Sequence, residues 1–286
     1  MLFFRLILIV SVFFLFTGNT IPNKKMTCME IVSHMLDSMK HIKTQTYGLK
    51  ATERVNGKFL HAESTLKINT SPKKIYFKSK LKGVEVLWIQ GQNKGDAIVH
   101  SPSFTVANLN LDPYGSLMRK DQHHTIFDLG LQHIGIIVAN TIVKAPKDFD
   151  KHFAYAGTIV WNHTDCYQLL ISFPDYKYVE YTVLKGETVT DIAKKMHTSD
   201  FKIRYKNELS GYYTNLKEGK KIMIPVPYAN KVLMYIDKKS YLPVSVKIYD
   251  EEGLFEAYDF YNITVNKTFA PEEFSLNYKG YNFRKS

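Results

Sequence analysis

Two runs of alternating polar and apolar residues, YGLKATERV and KFLHAESTLKI, are separated only by Asn56-Gly57. Asn-Gly readily takes the positive φ that a tight type I′ turn needs at both centres, and such a turn joins antiparallel strands. Similar segments follow: KIYFKSKL after Ser71-Pro72, VEVLWIQG after Lys82-Gly83, and DAIVHS after Asn93-Lys94-Gly95. FAYAGTIVW, CYQLLISF, KVLMYIDKKSYLPVSVKIYD and LFEAYDFYNITVN continue the series, with Pro243 suited to a strand start or edge. A meander of half-apolar strands makes a broad curved sheet with one face to cover. Two helical stripes can cover it. Cys28, Val32, Met35, Met39 and Ile42 recur at spacings of three and four; in TIFDLGLQHIGIIVANTI, Thr125 and Asp128 form an N-cap pair ahead of Leu129, Ile134, Ile137 and Ile142. The expected class is α+β, a curved antiparallel sheet with covering helices.

The chain opens MLFFRLILIVSVFFLFTGNT, one arginine ahead of an apolar run too short to span a bilayer. Residues 1–22 therefore read as a signal peptide, cleaved between Gly18 and Lys25, and the mature protein as exported; the other reading is an uncleaved N-terminal anchor. The formal charge of +11 then faces anionic glycans, lipopolysaccharide or phospholipid headgroups rather than nucleic acid. An apolar content of 45% is ample for a core. Cys28 and Cys166 are the two cysteines: in an oxidising compartment they form either one long-range disulfide or two buried thiols.

Catalytic patterns are weak. His123-His124 with Asp128 and His133 is the histidine cluster, but its spacing matches no metal-site pattern, so it reads as a loop-to-helix junction. Asp112-Pro113 and Asp121 suit turns. Trp88 and Trp161 lie in strand-like segments and suit core or cavity wall. No phosphate loop, Ser-x-x-Lys or His-Glu-x-x-His occurs in the sequence. No enzyme, cofactor or metal is expected.

One segment breaks the meander. YTVLKGETVTDIAKK passes from a short strand through Gly186 into a helix that Thr188 can cap, with Asp191 in its first turn. Val189, Ile192, Ala193 and Met196 give that helix a buried face. Thr198 or Ser199 caps a second helix, FKIRYKNEL, and LKEGKKIMIP returns as a strand. The order strand-helix-helix-strand brings both chain ends out together, so the unit can replace a surface turn without disturbing the sheet.

Residues 181–225 resemble a LysM domain, on YTV, KGETV, DIAKK, Asn207, LKEGKKI and IP. Glu187 stands where aspartate is commoner, and Glu208 replaces a proline often found after the asparagine. The resemblance implies binding of N-acetylglucosamine glycans such as peptidoglycan or chitin. The implied groove lies between Gly186, Glu187, Thr188 and Val189 on one side and Asn207, Glu208, Leu209, Ser210, Gly211 and Tyr212 on the other, with Tyr212 or Tyr213 on a sugar face. The rest of the chain resembles the DUF1571 family in EVLWIQGQNKGDAIVHSP, LNLDPYGSLM, HTIFDLGL, MYIDKKSYLP and KIYDEEGLFEAYDFYNITVN. More remotely it is similar to the LolA, LolB and RseB lipoprotein-carrier superfamily, half-open barrels that hold acyl chains beneath helices. These resemblances imply a discontinuous LolA-like body, residues 26–178 and 228–286, with a LysM module at 179–227. They imply a binding protein in the periplasm or envelope of a Gram-negative bacterium, held on peptidoglycan, its body holding a lipid, acyl chain or lipoprotein partner. The alternatives are a lipid or lipoprotein carrier localised by LysM, and a peptidoglycan-processing enzyme.

Overall fold

The computed structural model describes residues 26–104, 106–144, 146–212 and 215–284. The expected signal peptide lies outside them. Helix α1 (Cys28–Lys40) leads into β1 (Thr44–Val55), β2 (Lys58–Thr70), β3 (Lys73–Ser79), β4 (Glu85–Ile89), β5 (Ala97–His100) and β6 (Leu109–Leu111). Next come the short α2 (Ser116–Arg119), then α3 (Leu131–Lys144), the short α4 (Phe149–His152), β7 (Phe153–Trp161) and β8 (Thr164–Ser172). An insert follows: β9 (Lys177–Thr182), α5 (Val189–Met196), α6 (Asp200–Lys206) and β10 (Lys221–Val226). Strands β11 (Lys231–Asp237), β12 (Pro243–Asp250) and β13 (Gly253–Val265) complete the body.

Eleven strands form one antiparallel curved sheet in the order β6-β5-β4-β3-β2-β1-β13-β12-β11-β8-β7, while β9 and β10 pair separately. Asn56 and Gly57 take φ of 50° and 72°, as a type I′ turn requires, and β1 and β2 pair in unbroken register beside them. Pro243 begins β12, a strand interior to the sheet, so its missing N–H falls at the strand end.

The helices lie on one face. Ile31, Val32, Met35 and Met39 of α1 and Leu131 and Val138 of α3 pack on Tyr47, Leu49, Leu66, Ile68 and Phe260 of the sheet. A Cβ at Gly135 would stand 3.1 Å from the Met39 methyl, so the missing side chain sets how closely α3 approaches α1. Thr27 caps α1 in a reciprocal box with Glu30. The Thr125–Asp128 pair closes a 3₁₀ turn over Ile126–Asp128, and α3 begins at Leu131, five residues beyond the start that a Thr125 cap suggested. The cover that the sheet required is thus supplied by side chains of α1 and α3.

Both thiols are free. Alternation explains why: Leu169 and Ile171 of β8 point to the helix-covered core, whereas Cys166 packs on the opposite face with Tyr235 and Val244. Cys28 sits on α1 above the first face. That opposite face is covered in part by the C-terminal segment, where Tyr281 stacks on Tyr76 at 3.7 Å and Phe274 and Phe283 pack on Leu87.

Candidate functional site

The insert occupies the turn of a hairpin. β8 pairs with β11 from Ser172↔Lys231 onward, and Phe173 N–H donates to Asn230 C=O at 2.8 Å where the chain leaves and returns. β9 and β10 pair antiparallel, Lys177 opposite Val226, and Val183, Val189, Ile192, Ile203, Ile222 and Ile224 make a core of the insert's own. Thr188 caps α5 reciprocally with Asp191, and Ser199 caps α6, which ends at Lys206.

The two loops assigned to glycan lie side by side: Thr190 N–H donates to Tyr212 C=O at 3.2 Å and Leu216 N–H to Glu187 C=O at 2.9 Å. Gly186, Glu208 and Ser210 are exposed, and Glu187, Thr188 and Gly211 half-buried. Val189 and Leu209 are core residues of the insert. Asn207 is a clamp: its amide donates to Ile203 and Met223 carbonyls at 2.8 Å each and accepts from Met223 N–H at 2.7 Å. Tyr212 corrects the expectation of a sugar platform. It is buried, and the Arg119 guanidinium of the body lies 3.9 Å from its ring centre. Tyr213 lies outside the described residues. Glu187 accepts from Tyr181 O–H, Leu184 N–H and Lys195, which hold its carboxyl below the usual range although burial opposes this.

The insert docks on the body along α6. Phe201 packs with Val55, Tyr212 and Phe255, Arg119 pairs with Asp200 at 3.0 Å, and Lys202 lies 3.4 Å from Asp250, which also takes two bonds from Arg54. Burial pushes the Lys202 ammonium below its ordinary pKa.

Behind this junction sits a buried polar cluster. A register shift between Ile248 and Tyr249 leaves Phe255 as an extra residue of β13, and both Phe255 and Glu256 then reach the same imidazole, His123. Glu256 is fully buried and faces Glu53, its register partner on β1. Its carboxylate meets His123 Nδ1 at 2.9 Å, His124 Nε2 at 3.1 Å, Tyr228 O–H at 2.6 Å and Tyr258 O–H at 2.9 Å. Burial alone would raise the Glu256 pKa, but the charge on His124 and bonds from both histidines bring it well below the usual value. Burial likewise works against charge on His124, yet the Glu256 carboxylate outweighs it and raises that imidazole to about 9. His133 is lowered by burial despite Asp128 nearby. The sequence reading that took His123 and His124 for ordinary junction residues is corrected here: they converge on one carboxylate. The signal it passed over is parity. Leu49, Ala51, Glu53 and Val55 share one strand face, as do Glu256, Tyr258 and Phe260, so the acids fall at inward positions.

Hollows open to solvent occur among the described residues. One of about 470 Å³ lies between the β1–β3 ends and the C-terminal segment, near Lys43, Lys74, Asn266 and Phe269; a small one of about 30 Å³ lies at the junction near Arg54, Lys202 and Phe255. Among the described residues no helix is long and apolar enough to cross a membrane.

The model of the DUF1571 family, a protein of unknown function, matches residues 42–165. No curated protein matches the chain. The chain is similar to the Mycobacterium tuberculosis lipoprotein LppX, at 10% identity over 85% of this chain and 97% of that one, with a TM-score of 0.40. It is similar to a Pseudomonas aeruginosa chain from the complex of MucA and MucB, at 11% identity over 86% of this chain and 60% of that one, TM-score 0.39. A LolA superfamily protein from Nitrosomonas europaea gives 9% identity over 88% and 98%, TM-score 0.32. The DUF1571 match runs from the approach to β1 into β8, so it contains Glu53 and the three clustered histidines, whereas Glu256, Tyr228, Tyr258 and the insert lie beyond it.

Proposed function

We propose that the protein is an exported cell-envelope binding protein, held on N-acetylglucosamine glycan such as peptidoglycan by residues 179–227 acting as a LysM module. The observation that carries this reading is the insert itself: a βααβ unit with its own core, replacing a hairpin turn, with the loops at 186–189 and 207–211 laid alongside one another. Exposed Gly186, Glu208 and Ser210 mark the accessible rim, where backbone amides and carbonyls would meet an acetamido group. Tyr212, Val189, Leu209 and Asn207 act as supports of the groove rather than as its lining. The body presents the module and, through its helix-covered face or a partner surface, is where a lipid or lipoprotein would be held. A carrier mechanism of that kind would need α1 or α3 to move, because Met35, Met39 and Leu131 fill that face.

A shallow single module should bind short glycans on the order of micromolar to millimolar. The net charge adds a salt-sensitive attraction to anionic wall groups. Ser210→Trp changes the rim without touching charge or buried contacts, so it separates the two contributions. Wild type should pellet with purified sacculi at both low and high salt, and the folded variant should pellet weakly at high salt. Equal pelleting of both proteins at low salt and of neither at high salt would show charge attraction alone and reject the glycan groove.

A further inference from the structure

We propose that Glu53, Glu256 and the Nδ1 atom of His123 form a binding site for one divalent first-row transition ion, of the zinc class, at the junction of body and insert. The argument is independent of the glycan reading. Oxygen and nitrogen atoms of these three side chains all lie within 4.8 Å of one another. They come from β1, β13 and the segment before α3, so the fold brings them together from three separate places in the chain.

Two features point to a cation rather than to a closed hydrogen-bond set. The first is a shortage of protons. Tyr258 has one O–H, yet its oxygen lies 2.7 Å from Glu53 Oε1 and 2.9 Å from Glu256 Oε2. His123 Nε2 faces the Arg54 carbonyl at 3.1 Å and its Nδ1 faces Glu256 at 2.9 Å, so both ring nitrogens look onto oxygens that only accept. A neutral imidazole satisfies one of these. Glu53 and Glu256 are also direct cross-strand partners, where like charges destabilise a sheet; His124 offsets the charge on Glu256, and an ion between the carboxylates would offset both.

The second feature is the surrounding shell. A metal-bound histidine usually donates its other ring N–H to a carbonyl or carboxylate, which fixes the tautomer. The Arg54 carbonyl stands in that position for Nε2, leaving the Nδ1 lone pair facing the Glu256 carboxylate at 2.9 Å. Tyr228 O–H on Glu256 Oε1 at 2.6 Å and His123 N–H on Glu53 Oε2 at 3.0 Å orient the carboxylates in the same way. The ring is wedged between Phe201, at 4.1 Å, and Phe255, at 4.2 Å, so it cannot swing away. Imidazole with carboxylates suits zinc-like ions and disfavours calcium or magnesium, which take oxygen ligands. Three protein ligands leave a fourth position for water, while His124 Nε2, 3.1 Å from Glu256 Oε2, supports that carboxylate from outside the ligand set.

The test uses the full mature chain, stripped with a chelator and titrated with Zn²⁺ at neutral pH. We expect one ion per chain by native mass spectrometry and a higher Tm on binding. Glu53→Gln keeps the side-chain shape and should weaken binding at least tenfold, while His197→Gln at the exposed end of α5 should leave it unchanged. Co²⁺ in wild type gives a readout that needs no variant: the intense visible absorption of a four-coordinate ion supports the site. Failure to bind an equivalent of Zn²⁺, binding that survives Glu53→Gln in a folded protein, or the weak spectrum of an octahedral surface ion would each overturn it.

Discussion

Asn207 shows how far a residue-level signal carries. The sequence marks it as an anchor of the LysM resemblance, and the structure gives that position a mechanical reason. Its amide joins the end of α6 to both backbone groups of Met223 on β10. Asn207→Ala strands those groups, at about 1–3 kcal/mol for a buried donor or acceptor left unpaired. The insert should therefore lose hydrogen-exchange protection in β10 and α6 while β1 and β2 keep theirs; unchanged protection in β10 would show that the clamp carries no load. Tyr212 marks the opposite limit. An aromatic residue in a loop next to a candidate groove reads as a sugar platform, and nothing local says that Arg119, far away in sequence, will cover its ring. The same limit hid the buried cluster. His123 was visible, and so was the acidic position in FEAYDF, but only the pairing of β1 with β13 puts Glu53 opposite Glu256.

At the scale of elements the sequence was more informative, because local physics decides them. Asn56-Gly57 fixed the first hairpin, and the stripe from Cys28 to Met39 fixed α1. The insert's helices were announced by their caps. Thr188 accepts from Asp191 N–H at 3.2 Å and the Asp191 carboxylate accepts from Thr188 N–H and O–H at 3.0 and 2.6 Å. Loss of such a cap costs about 1 kcal/mol. The bonds from Thr188 hold the Asp191 carboxyl below its ordinary range. A depressed carboxyl contributes stability that is present above its unfolded pKa and lost as pH falls through its folded one. Thr188→Ala should therefore destabilise the insert by more at neutral pH than in strong acid, where the bond from the Asp191 N–H still counts but the charged carboxylate no longer accepts from the Thr188 O–H. Urea titrations of both proteins at the two pH values check this, and a deficit of equal size at both would show that the Asp191 half of the cap is idle. What the element scale did not reveal was the bulge at Phe255, since an extra residue in a β-strand leaves the apolar pattern nearly intact.

For the whole molecule, the question is how independent the insert is. Its ends meet at Phe173 and Asn230, and its core is its own, both of which favour autonomy. Its α6 nevertheless covers the body: Phe201 shields Phe255 and Val55, which are 3% and 6% exposed. Replacing residues 177–226 with a short Gly-Ser turn leaves the α1–α3 core untouched and shortens a loop, which adds little closure entropy. Asp250 would still have Arg54, and Glu256 would still have His124 and Tyr258. Arg119 would lose Asp200 and Tyr212 but return to water, so the main loss is the shielding of Phe255 and Val55, at about 1.5–3 kcal/mol for each side chain fully returned to water and less where exposure is partial. A sum of about 2–4 kcal/mol lowers Tm by roughly 5–15 °C in a body of this size. The deletion variant should thus stay folded by circular dichroism and melt in one transition at a clearly lower temperature. Melting at the wild-type temperature would mean that α6 merely rests on the body, and aggregation at every temperature would mean that the insert is part of the body's core. The intermediate outcome follows from the geometry, because the insert meets the body through α6 and Tyr212, set against Arg119, His123 and the turn ends of β1 and β13, and keeps a core of its own.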